Sequence, residues 1–376
     1  MAAPTGWDGW LAERAAARED AGLTRRLHPR APDDPVTDLA GNDYLGLGRH
    51  PAVRRAAADA ALTWGAGAGA SRLVTGTLAL HEELERELAD WLGQPAALAC
   101  STGYHANLAV VTALADRDTH VISDAHVHAS LIDAVRLSRA HLTVVPHNDV
   151  DAVRTALAGS TRRTLVLTES IYSVLGDRAP LADLADVCHA HGAWLLVDEA
   201  HAVGVHGAGL VHGLGLAGRP DVVVTATLSK SLGSQGGAVL GPAALVEHLV
   251  NTARPFIFDT GLNPAAAAAA LAAARIARAD PALAATVHAR VDGLAELLGV
   301  APPAGAVLSV PMPSPRAAVA AQAELLAEGV RVGCFRPPSV PDGISRLRVT
   351  ASAGVAEEEW QRATKALDAV VLELGR

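Results

Sequence analysis

The chain has 376 residues, half of them hydrophobic, and carries a formal net charge of −9 at pH 7. This length exceeds what one simple core needs and suggests two domains, while the scattered acidic residues argue against nucleic-acid binding, because no basic stripe is present to neutralise phosphates. The three cysteines, Cys100, Cys188 and Cys334, have no CxxC spacing, which argues against a zinc site or a disulfide framework and fits a reducing cytoplasm.

No stretch is typical of a targeting signal or a membrane span. Residues 1–30 mix acidic and basic side chains and contain no apolar signal core. The alanine-rich stretch 264–279 is interrupted by Arg275 and Arg278 and is too short to cross a bilayer. We therefore expect a cytoplasmic protein in which this stretch is a long internal helix.

The N-terminal part is predicted to contain two helices and a glycine-rich loop. We expect an amphipathic helix over 7–28, a short strand over 36–39 and a helix over 51–64. Residues 65–76 have GxGxG spacing, which would fit a dinucleotide-binding loop. Because the stretch does not follow a strand and open a helix, it is a weak fingerprint for dinucleotides.

From residue 78 onward, helices and strands alternate. Helices are predicted over 78–92, 106–114, 129–139, 149–158 and 181–191, and strands over 96–100, 120–123, 142–145, 164–168, 194–197 and 221–225. This alternation predicts an α/β fold with a mostly parallel sheet and helices on both faces. An alternating strand over 346–350 and an amphipathic helix over 357–372 are predicted near the C-terminus.

We expect the chain to be organised in three parts. The first is an N-terminal helical segment over residues 1–40, and the second is a large domain over 41–275. The third is a smaller C-terminal α/β domain over 276–376.

Polar residues recur just after the predicted strands. Ligands of parallel α/β sheets bind beyond the carboxyl ends of the strands, so these residues should share one crevice. Lys230 is unusual because the chain contains only one other lysine, Lys365, among many arginines. The crevice is expected to collect a helix start suited to phosphate, carboxylates, imidazoles, hydroxyls and this lysine: Gly103, Tyr104, Asp124, His126, His128, Glu169, Ser170, Ser173, Asp198, Glu199, His201, Thr227, Ser229 and Lys230.

Pyridoxal phosphate is the cofactor whose chemistry needs such a set. Its aldehyde forms a Schiff base with a lysine, and its ring nitrogen needs a carboxylate such as Asp198. Its phosphate suits a helix N-terminus with nearby hydroxyls. Asp124, His126 and His128 could instead form a three-ligand metal site, but no further histidine has clear ligand spacing, so we predict no metal.

Six motifs occur in order along nearly the whole chain. They are Asn-Asp-Tyr-Leu-Gly-Leu (42–47), Ser-Arg-Leu-Val-Thr-Gly (71–76), His-Ala-Ser-Leu (128–131), His-Asn-Asp-Val (147–150), Val-Asp-Glu-Ala-His (197–201) and Thr-Leu-Ser-Lys (227–230). In this order and spacing, the sequence from about residue 20 to about residue 352 resembles the α-oxoamine synthases, which are fold-type-I pyridoxal phosphate enzymes. The resemblance implies that fold and that cofactor.

The resemblance also implies roles for individual residues. The catalytic residues would be Lys230, His128 and Asp198. The cofactor would be bound by Gly103, Tyr104, His128, Ser173, Asp198, His201, Thr227, Lys230 and Thr260, with His201 and Ser173 near the phenolic oxygen of the cofactor and Thr260 reaching the phosphate from a neighbouring subunit of a homodimer. The substrates would be bound by Arg25, Arg26, Asn42, His128, Arg346, Arg348 and Thr350.

Two choices among these substrate-binding residues stay open. One is whether Arg346 or Arg348 binds the amino-acid carboxylate, and the other is whether Arg25 or Arg26 contacts the acyl substrate. Three positions depart from the pattern of the family, namely Ala70, Leu175 and Ala202, and they put loop geometry in question.

The implied reaction is a decarboxylative acyl transfer. Within the family, the motifs favour condensation of L-alanine with a pimeloyl thioester for biotin synthesis, and the thiol carrier, coenzyme A or acyl carrier protein, stays open. Glycine C-acetyltransferase is the first alternative, followed by 5-aminolevulinate synthase and serine palmitoyltransferase. A pyridoxal phosphate-binding protein without activity is the alternative from another class.

Overall fold

Two β-sheets organise residues 37–376 of the computed structural model. The structure describes residues 6–21, 23–25, 27–337, 339–340 and 342–374. The chain divides into two compact units, 1–36 and 37–376. None of the described helices has the length and apolar character needed to span a membrane.

The described residues form eleven strands and fourteen α-helices. The strands are β1 (Thr37–Leu39), β2 (Ala96–Cys100), β3 (Thr119–Asp124), β4 (His141–Val145), β5 (Arg163–Glu169), β6 (Trp194–Asp198), β7 (Val222–Thr227), β8 (Gly237–Gly241), β9 (Val307–Pro311), β10 (Val330–Phe335) and β11 (Arg346–Thr350). The helices are α1 (Trp7–Asp20), α2 (Pro51–Trp64), α3 (Ala79–Leu92), α4 (Gly103–Leu114), α5 (Ala129–Ser138), α6 (Val150–Ala158), α7 (Leu181–Ala190), α8 (Leu210–Gly213), α9 (Ala243–Thr252), α10 (Arg254–Ile257), α11 (Pro264–Ala279), α12 (Ala282–Leu298), α13 (Pro315–Ala327) and α14 (Glu357–Leu374).

The unit formed by residues 1–36 contains the first predicted helix, which ends earlier than expected. Helix α1 stops at Asp20 instead of continuing to residue 28. The Leu23 N–H donates to the Arg18 carbonyl at 2.8 Å, a hydrogen bond typical of a helix C-terminus. Trp7 and Trp10 make an edge-to-face contact on this helix, with ring centroids 5.8 Å apart.

The larger sheet has seven strands in the order β2-β8-β7-β6-β5-β3-β4. Strands β3 to β7 are parallel, which confirms the predicted α/β architecture. The strands are mostly apolar because helices cover both faces of the sheet. Strand β8 was not predicted, since its sequence Gly-Ala-Val-Leu-Gly continues a glycine-rich loop; it is antiparallel to both β7 and β2.

The smaller sheet has four strands in the order β1-β10-β11-β9. Strand β1 pairs in parallel with β10, and β11 lies antiparallel between β10 and β9. The N-terminal strand of the unit thus joins a sheet built otherwise from C-terminal strands. The domain boundaries at residues 40 and 275 stay predictions.

Helix α11 matches the predicted bounds of the internal alanine-rich helix. Its buried side chains are nearly all alanines, and it packs against α2 and α3. Small side chains allow the helices to approach closely. The alanine-rich stretch therefore belongs to the core of the unit.

Candidate active site

A cavity of about 240 Å³, called here the inner cavity, lies at the carboxyl ends of β5, β6 and β7. The strand register places Glu169, Asp198 and Thr225 side by side, because Glu169 pairs with Asp198 and Asp198 pairs with Thr225. Most of the side chains predicted to share one crevice therefore converge here. The predicted residues that do not line this cavity are Asp124, His126, Ser170, Ser173 and Glu199. The lining residues are Thr102, Gly103, Tyr104, Asn107, His128, Ser130, Glu169, Asp198, Ala200, His201, Thr225, Ala226, Thr227, Ser229 and Lys230.

Asp198 is fixed at the base of the inner cavity by two donors. Its Oδ2 accepts a hydrogen bond of 2.8 Å from Nδ2 of Asn107, and its Oδ1 accepts one of 2.9 Å from the Ala200 N–H. Asn107 is itself held by Thr225, whose hydroxyl donates to Asn107 Oδ1 at 2.7 Å. The carboxylate is buried and has one well-defined orientation, which suits a protonated ring nitrogen.

Lys230 lines the same cavity as Asp198. Burial lowers the pKa of Lys230, and the nearby carboxyl groups of Asp198 and Glu169 oppose that shift. A lysine with a lowered pKa has a larger fraction of free amine at neutral pH. The free amine is the form that attacks an aldehyde or accepts a proton.

The N-terminus of α4 forms one end of the inner cavity. Thr102 caps this helix by accepting a hydrogen bond of 3.0 Å from the His105 N–H. Thr227 packs closely against the first turn, because a Cβ at Gly103 would lie 3.1 Å from the Thr227 Cβ. The hydroxyls of Thr227 and Ser229 are 2.7 Å apart. Backbone N–H groups and hydroxyls meeting at a helix start suit a phosphate group.

Two histidines also line the inner cavity. His128 caps α5, and its Nδ1 lies 2.7 Å from the Ser130 hydroxyl. His201 is buried, and its Nδ1 lies 2.8 Å from the Tyr44 hydroxyl. Burial lowers the pKa of His128, and burial together with the positive charges of Lys230 and Arg348 lowers the pKa of His201 well below its usual range. Both imidazoles are therefore neutral at pH 7.

Glu169 contributes a second carboxyl group to the inner cavity. Its Oε2 accepts a hydrogen bond of 3.2 Å from the Ser173 N–H, while its Oε1 is buried without a partner among the described residues. Burial and the neighbouring Asp198 raise the pKa of Glu169 well above its usual range. The raised pKa favours the protonated form of Glu169, whose Oε1 lies unpartnered beside the cavity among the described residues.

A larger pocket of about 610 Å³, called here the outer pocket, shares His128, His201 and Lys230 with the inner cavity. Its polar residues include Asn42, Ser173 and Arg348. Its apolar wall is formed by Val127, Ile132, Val174, Leu175, Phe335 and Val340. An apolar pocket that ends at a lysine and an arginine suits a chain-like substrate with a polar reactive end.

The two arginines of β11 have different environments. Arg346 is buried and forms a salt bridge of 2.6 Å with Asp342. Arg348 is also buried, but it donates to Asn42 Oδ1 and to the Ser173 carbonyl and makes no salt bridge with a described carboxylate. Arg348 lines the outer pocket and Arg346 does not. Among the described residues, Arg348 is thus a buried cation without a counter-ion.

The remaining predicted residues lie elsewhere. Thr260 pairs with Ser71 in an isolated bridge and lines a small separate pocket with Arg72 and Asp259. Thr350 is buried on β11 and lines neither the inner cavity nor the outer pocket. Arg25 belongs to the unit formed by residues 1–36, and Arg26 lies outside the described residues. Their proposed roles stay predictions.

Asp124, His126 and His128 do not converge on one point. His147 is held between Asp124 and Asp177, with its nitrogens 3.0 Å and 2.7 Å from their oxygens, and His126 stacks on His147 at a centroid distance of 3.8 Å. His128 instead bonds Ser130 beside the inner cavity. No group of three or more potential metal ligands occurs among the residues that the structure describes.

Some residues of the site were not identified as functional from the sequence. Asn107 lies one helical turn after Gly103 and lines the same cavity. Its spacing from the predicted phosphate-binding helix start could therefore have identified it as a site residue. Tyr44 belongs to the motif at 42–47, but nothing in the sequence indicated that it bonds His201. Glu169 was noted at a strand end without a role.

The donors of the inner cavity match the chemical groups of pyridoxal phosphate. Lys230 matches the aldehyde, Asp198 the ring nitrogen, and the first turn of α4 with Thr227 and Ser229 the phosphate. His128 and Ala200 are available to the ring, and the unpartnered Oε1 of Glu169 is an additional polar atom. These residues fit the group.

Comparisons with known proteins point in the same direction. Residues 34–367 match the family model described as aminotransferase class I and II. The chain is 54% identical over 367 residues to the 8-amino-7-oxononanoate synthase of Mycolicibacterium smegmatis, covering 96% of both chains. It is 53% identical over 370 residues to the protein of the same name from Mycolicibacterium paratuberculosis, covering 97% of both chains.

Solved structures share the fold. A serine palmitoyltransferase from S. paucimobilis with bound PLP and myriocin superposes with a TM-score of 0.89, at 30% identity and 98% coverage of both chains. The 8-amino-7-oxononanoate synthase of Francisella tularensis superposes with a TM-score of 0.78, at 24% identity, over 91% of this chain and 99% of that one.

Proposed function

The chain belongs to the aminotransferase class I and II family, and on this premise we propose that it catalyses the 8-amino-7-oxononanoate synthase reaction. In this reaction L-alanine condenses with a pimeloyl thioester, and carbon dioxide and the thiol are released. Pyridoxal phosphate is the cofactor, and the enzyme is an acyltransferase. The supporting observation is the position of Lys230, which lines both the inner cavity with Asp198 and the outer pocket with Arg348.

The cofactor and the protein side chains would contribute different parts of the reaction. Pyridoxal phosphate, when bound, supplies an aldehyde that reacts with amines and a ring that delocalises the electron pair left at the α-carbon of an amino acid. Lys230 would hold it covalently, Asp198 would face its ring nitrogen, and the start of α4 with Thr227 would hold its phosphate. His128 would lie over the ring, and His201 would meet the phenolic oxygen.

The side chains around the outer pocket would then handle the substrates. Arg348 binds the carboxylate of alanine, because a buried guanidinium without a counter-ion favours an anion. The lowered pKa of Lys230 leaves its Nζ free to accept the α-proton of alanine. The apolar wall receives the methylene chain of the acyl group and keeps water from the reacting carbon atoms.

The choice of Arg348 over Arg346 is supported by the salt bridge of Arg346 with Asp342. An arginine that is already neutralised by a carboxylate has less to gain from a second anion. Asn42 supports the assignment of Arg348 as the carboxylate-binding residue. Its Oδ1 accepts hydrogen bonds from both terminal nitrogens of Arg348 and so orients the guanidinium.

A homodimer is supported by the surface around Thr260. Leu73, Val74 and Phe258 are 52%, 74% and 70% exposed, and they lie on the two segments joined by the bridge of Ser71 with Thr260. Exposed apolar side chains concentrated at one place suit a second copy of the chain. In such a dimer Thr260 would approach the phosphate of the other subunit. A cytoplasmic location is proposed from the three cysteines, all of which are free thiols.

The test is a comparison of substrate pairs with the purified protein and added pyridoxal phosphate. We expect thiol release with L-alanine and pimeloyl-coenzyme A, and the same assay with pimeloyl-acyl carrier protein identifies the better carrier. Faster turnover of glycine with acetyl-coenzyme A would favour the glycine C-acetyltransferase alternative. Cofactor binding without turnover of any pair would favour the non-catalytic alternative.

A further inference from the structure

Glu169 is connected to Arg348 through the backbone of one residue, Ser173. The Ser173 N–H donates a hydrogen bond of 3.2 Å to Oε2 of Glu169, and the Ser173 carbonyl accepts one of 2.7 Å from Nε of Arg348. Glu169 and Arg348 are 2% and 5% exposed, so water competes little for either contact. Two consecutive hydrogen bonds therefore link the two buried side chains.

Ser173 belongs to the loop between Ile171 and Arg178, which pair in an isolated bridge at its base. The backbone hydrogen bonds inside this loop fix its shape but do not involve the N–H or the carbonyl of Ser173. Among the described residues, Glu169 and Arg348 are the partners of those two groups. The contact with Glu169 therefore attaches this part of the loop to the end of β5.

The contact with the Ser173 carbonyl fixes one edge of the Arg348 guanidinium. The terminal nitrogens of Arg348, Nη1 and Nη2, both donate to Asn42 Oδ1 at 3.2 Å. A planar guanidinium that is held at Nε and at its terminal nitrogens cannot rotate freely, and each terminal nitrogen has a second N–H. A shift of the Ser173 carbonyl would therefore turn these N–H groups away from a bound anion.

The contact between Glu169 and Ser173 does not require a charge on the carboxyl group. A carboxylate, a protonated carboxyl group and a glutamine amide all have an oxygen that accepts a hydrogen bond. Since Oε1 of Glu169 has no partner among the described residues, the Oε2 contact is what relates this side chain to the loop. Glu169→Gln should keep the contact, whereas Glu169→Leu removes it.

We propose that Glu169 is a positioning residue for amino-acid binding, because it holds the Ser173 carbonyl where that group orients the Arg348 guanidinium. Glu169 lines the inner cavity and Arg348 lines the outer pocket, so the link runs from the cofactor side to the substrate side. This role rests on the proposed function, in which Arg348 binds the carboxylate of alanine. Loss of the Glu169 contact should therefore weaken amino-acid binding more than thioester binding.

The first test measures hydrogen exchange at Nε of Arg348 in the cofactor-free protein and does not depend on the reaction. In ¹⁵N-arginine-labelled protein, Arg348→Lys and Arg278→Lys identify the Nε–H signals of the two arginines by NMR. Arg278 is the exposed reference, since its side chain is 52% exposed and donates to Glu87 through Nη1. We expect exchange at Arg348 to be slower by about tenfold or more, and to accelerate in Glu169→Leu but not in Glu169→Gln.

Two results of this experiment would contradict the positioning role. One is exchange at Arg348 as fast as at Arg278 in the unmodified protein, which decides the matter even if no Glu169 variant folds. The other is the same exchange rate at Arg348 in Glu169→Leu and in the unmodified protein.

The second test titrates the protein loaded with pyridoxal phosphate with L-alanine, without thioester, and follows the cofactor absorbance. We expect the half-saturating alanine concentration to rise about tenfold in Glu169→Leu and to stay within about twofold in Glu169→Gln. In steady-state kinetics the KM for alanine should rise in proportion, whereas kcat and the KM for the thioester should change less than about threefold. A general disturbance of the site would instead lower kcat and weaken the binding of both substrates.

A double-mutant cycle tests whether Glu169 acts through Arg348. In Glu169→Leu combined with Arg348→Lys, we expect a KM for alanine close to that of Arg348→Lys alone, because changes to one shared interaction are not additive. Arg346→Lys is the control partner, since Arg346 lies on the same strand but bonds Asp342, and its effect should add to that of Glu169→Leu. Additive effects of Glu169→Leu and Arg348→Lys would overturn the positioning role.

The outcomes separate the positioning role from the proposed reaction. Equal alanine affinity in Glu169→Leu and in the unmodified protein would overturn the role of Glu169 and leave the reaction intact. Binding of glycine or serine in place of alanine would overturn the proposed substrate, and titration of the same variants with that amino acid would still decide the role, because the carboxylate is the same. Normal alanine binding without turnover of any thioester would overturn the reaction alone, and the absence of any amino-acid binding would overturn both.

Discussion

Glu169 and Asp198 are direct neighbours on adjacent parallel strands, yet their carboxyl groups have different partners. Asp198 accepts from Asn107 and the Ala200 N–H, whereas Glu169 accepts from the Ser173 N–H and its Oε1 has no partner among the described residues. Burial and the neighbouring Asp198 both raise the pKa of Glu169.

The neutral state of Glu169 can be tested by stability. Its pKa is raised in the folded protein, so the folded state binds more protons than the unfolded state above about pH 4.3, and stability falls as the pH rises. We expect Glu169→Gln, which mimics the neutral acid, to have a higher free energy of unfolding than the unmodified protein at pH 7 and a weaker pH dependence. Urea unfolding between pH 5 and 8 measures both. Identical slopes for the two proteins would contradict the assignment.

The covalent role of Lys230 can be tested against the other lysine of the chain. Lys230→Ala removes the amine that bonds the cofactor, so we expect the violet absorbance band of the loaded enzyme to disappear and kcat to fall by about 1,000-fold or more. Lys365→Ala is the matched control, since Lys365 is exposed on α14. An unchanged spectrum and turnover in Lys230→Ala would remove the basis of the mechanism.

The assignment of the carboxylate-binding arginine can be tested with two conservative variants. Arg348→Lys removes the planar donor pair, and we expect the KM for L-alanine to rise about 10- to 100-fold, since a charge-assisted pair contributes about 1.5–3 kcal/mol. Arg346→Lys disturbs the salt bridge with Asp342 and should lower the free energy of unfolding with little change in this KM. The reverse pattern in steady-state kinetics would exchange the two roles.

We expect His147 to contribute to the free energy of unfolding in a pH-dependent way. Its position between Asp124 and Asp177 raises the pKa of His147 to about 9, against burial. The stabilisation is fully present below the unfolded value of about 6.5 and is lost as the pH rises through 9, and a shift of this size corresponds to about 3 kcal/mol. We expect the free energy of unfolding to fall over this interval in the unmodified protein and to be flatter in His147→Gln. Chemical denaturation at pH 6, 7.5 and 9 measures the difference.

Sequence reasoning located the inner cavity because strand ends in a parallel sheet are local features that meet in space. Lys230, Asp198 and His128 were placed together in this way, each by the strand that precedes it. The same reasoning predicted the bounds of α2, β2 and α11 because hydrophobic periodicity and helix caps are encoded nearby.

The unpredicted features depend on contacts between distant parts of the chain. The hydrogen bond between Tyr44 and His201 joins residues 157 positions apart. Strand β8 forms because it completes the sheet between β2 and β7, and its glycines are needed for close packing, since a Cβ at Gly237 would lie 2.5 Å from the Gly103 nitrogen. The raised pKa of Glu169 arises mainly from burial, which no local sequence pattern reveals.

The outer pocket takes its walls from both sheets of the unit. Phe335 and Arg348 belong to the four-stranded sheet, whereas Lys230 and His128 follow strands of the seven-stranded one. A molecule bound between Arg348 and Lys230 therefore contacts residues of both sheets at once. We expect bound substrate to restrict the movement of the two sheets relative to each other. Any such movement would change both the binding of the amino-acid carboxylate and the volume available to the acyl chain.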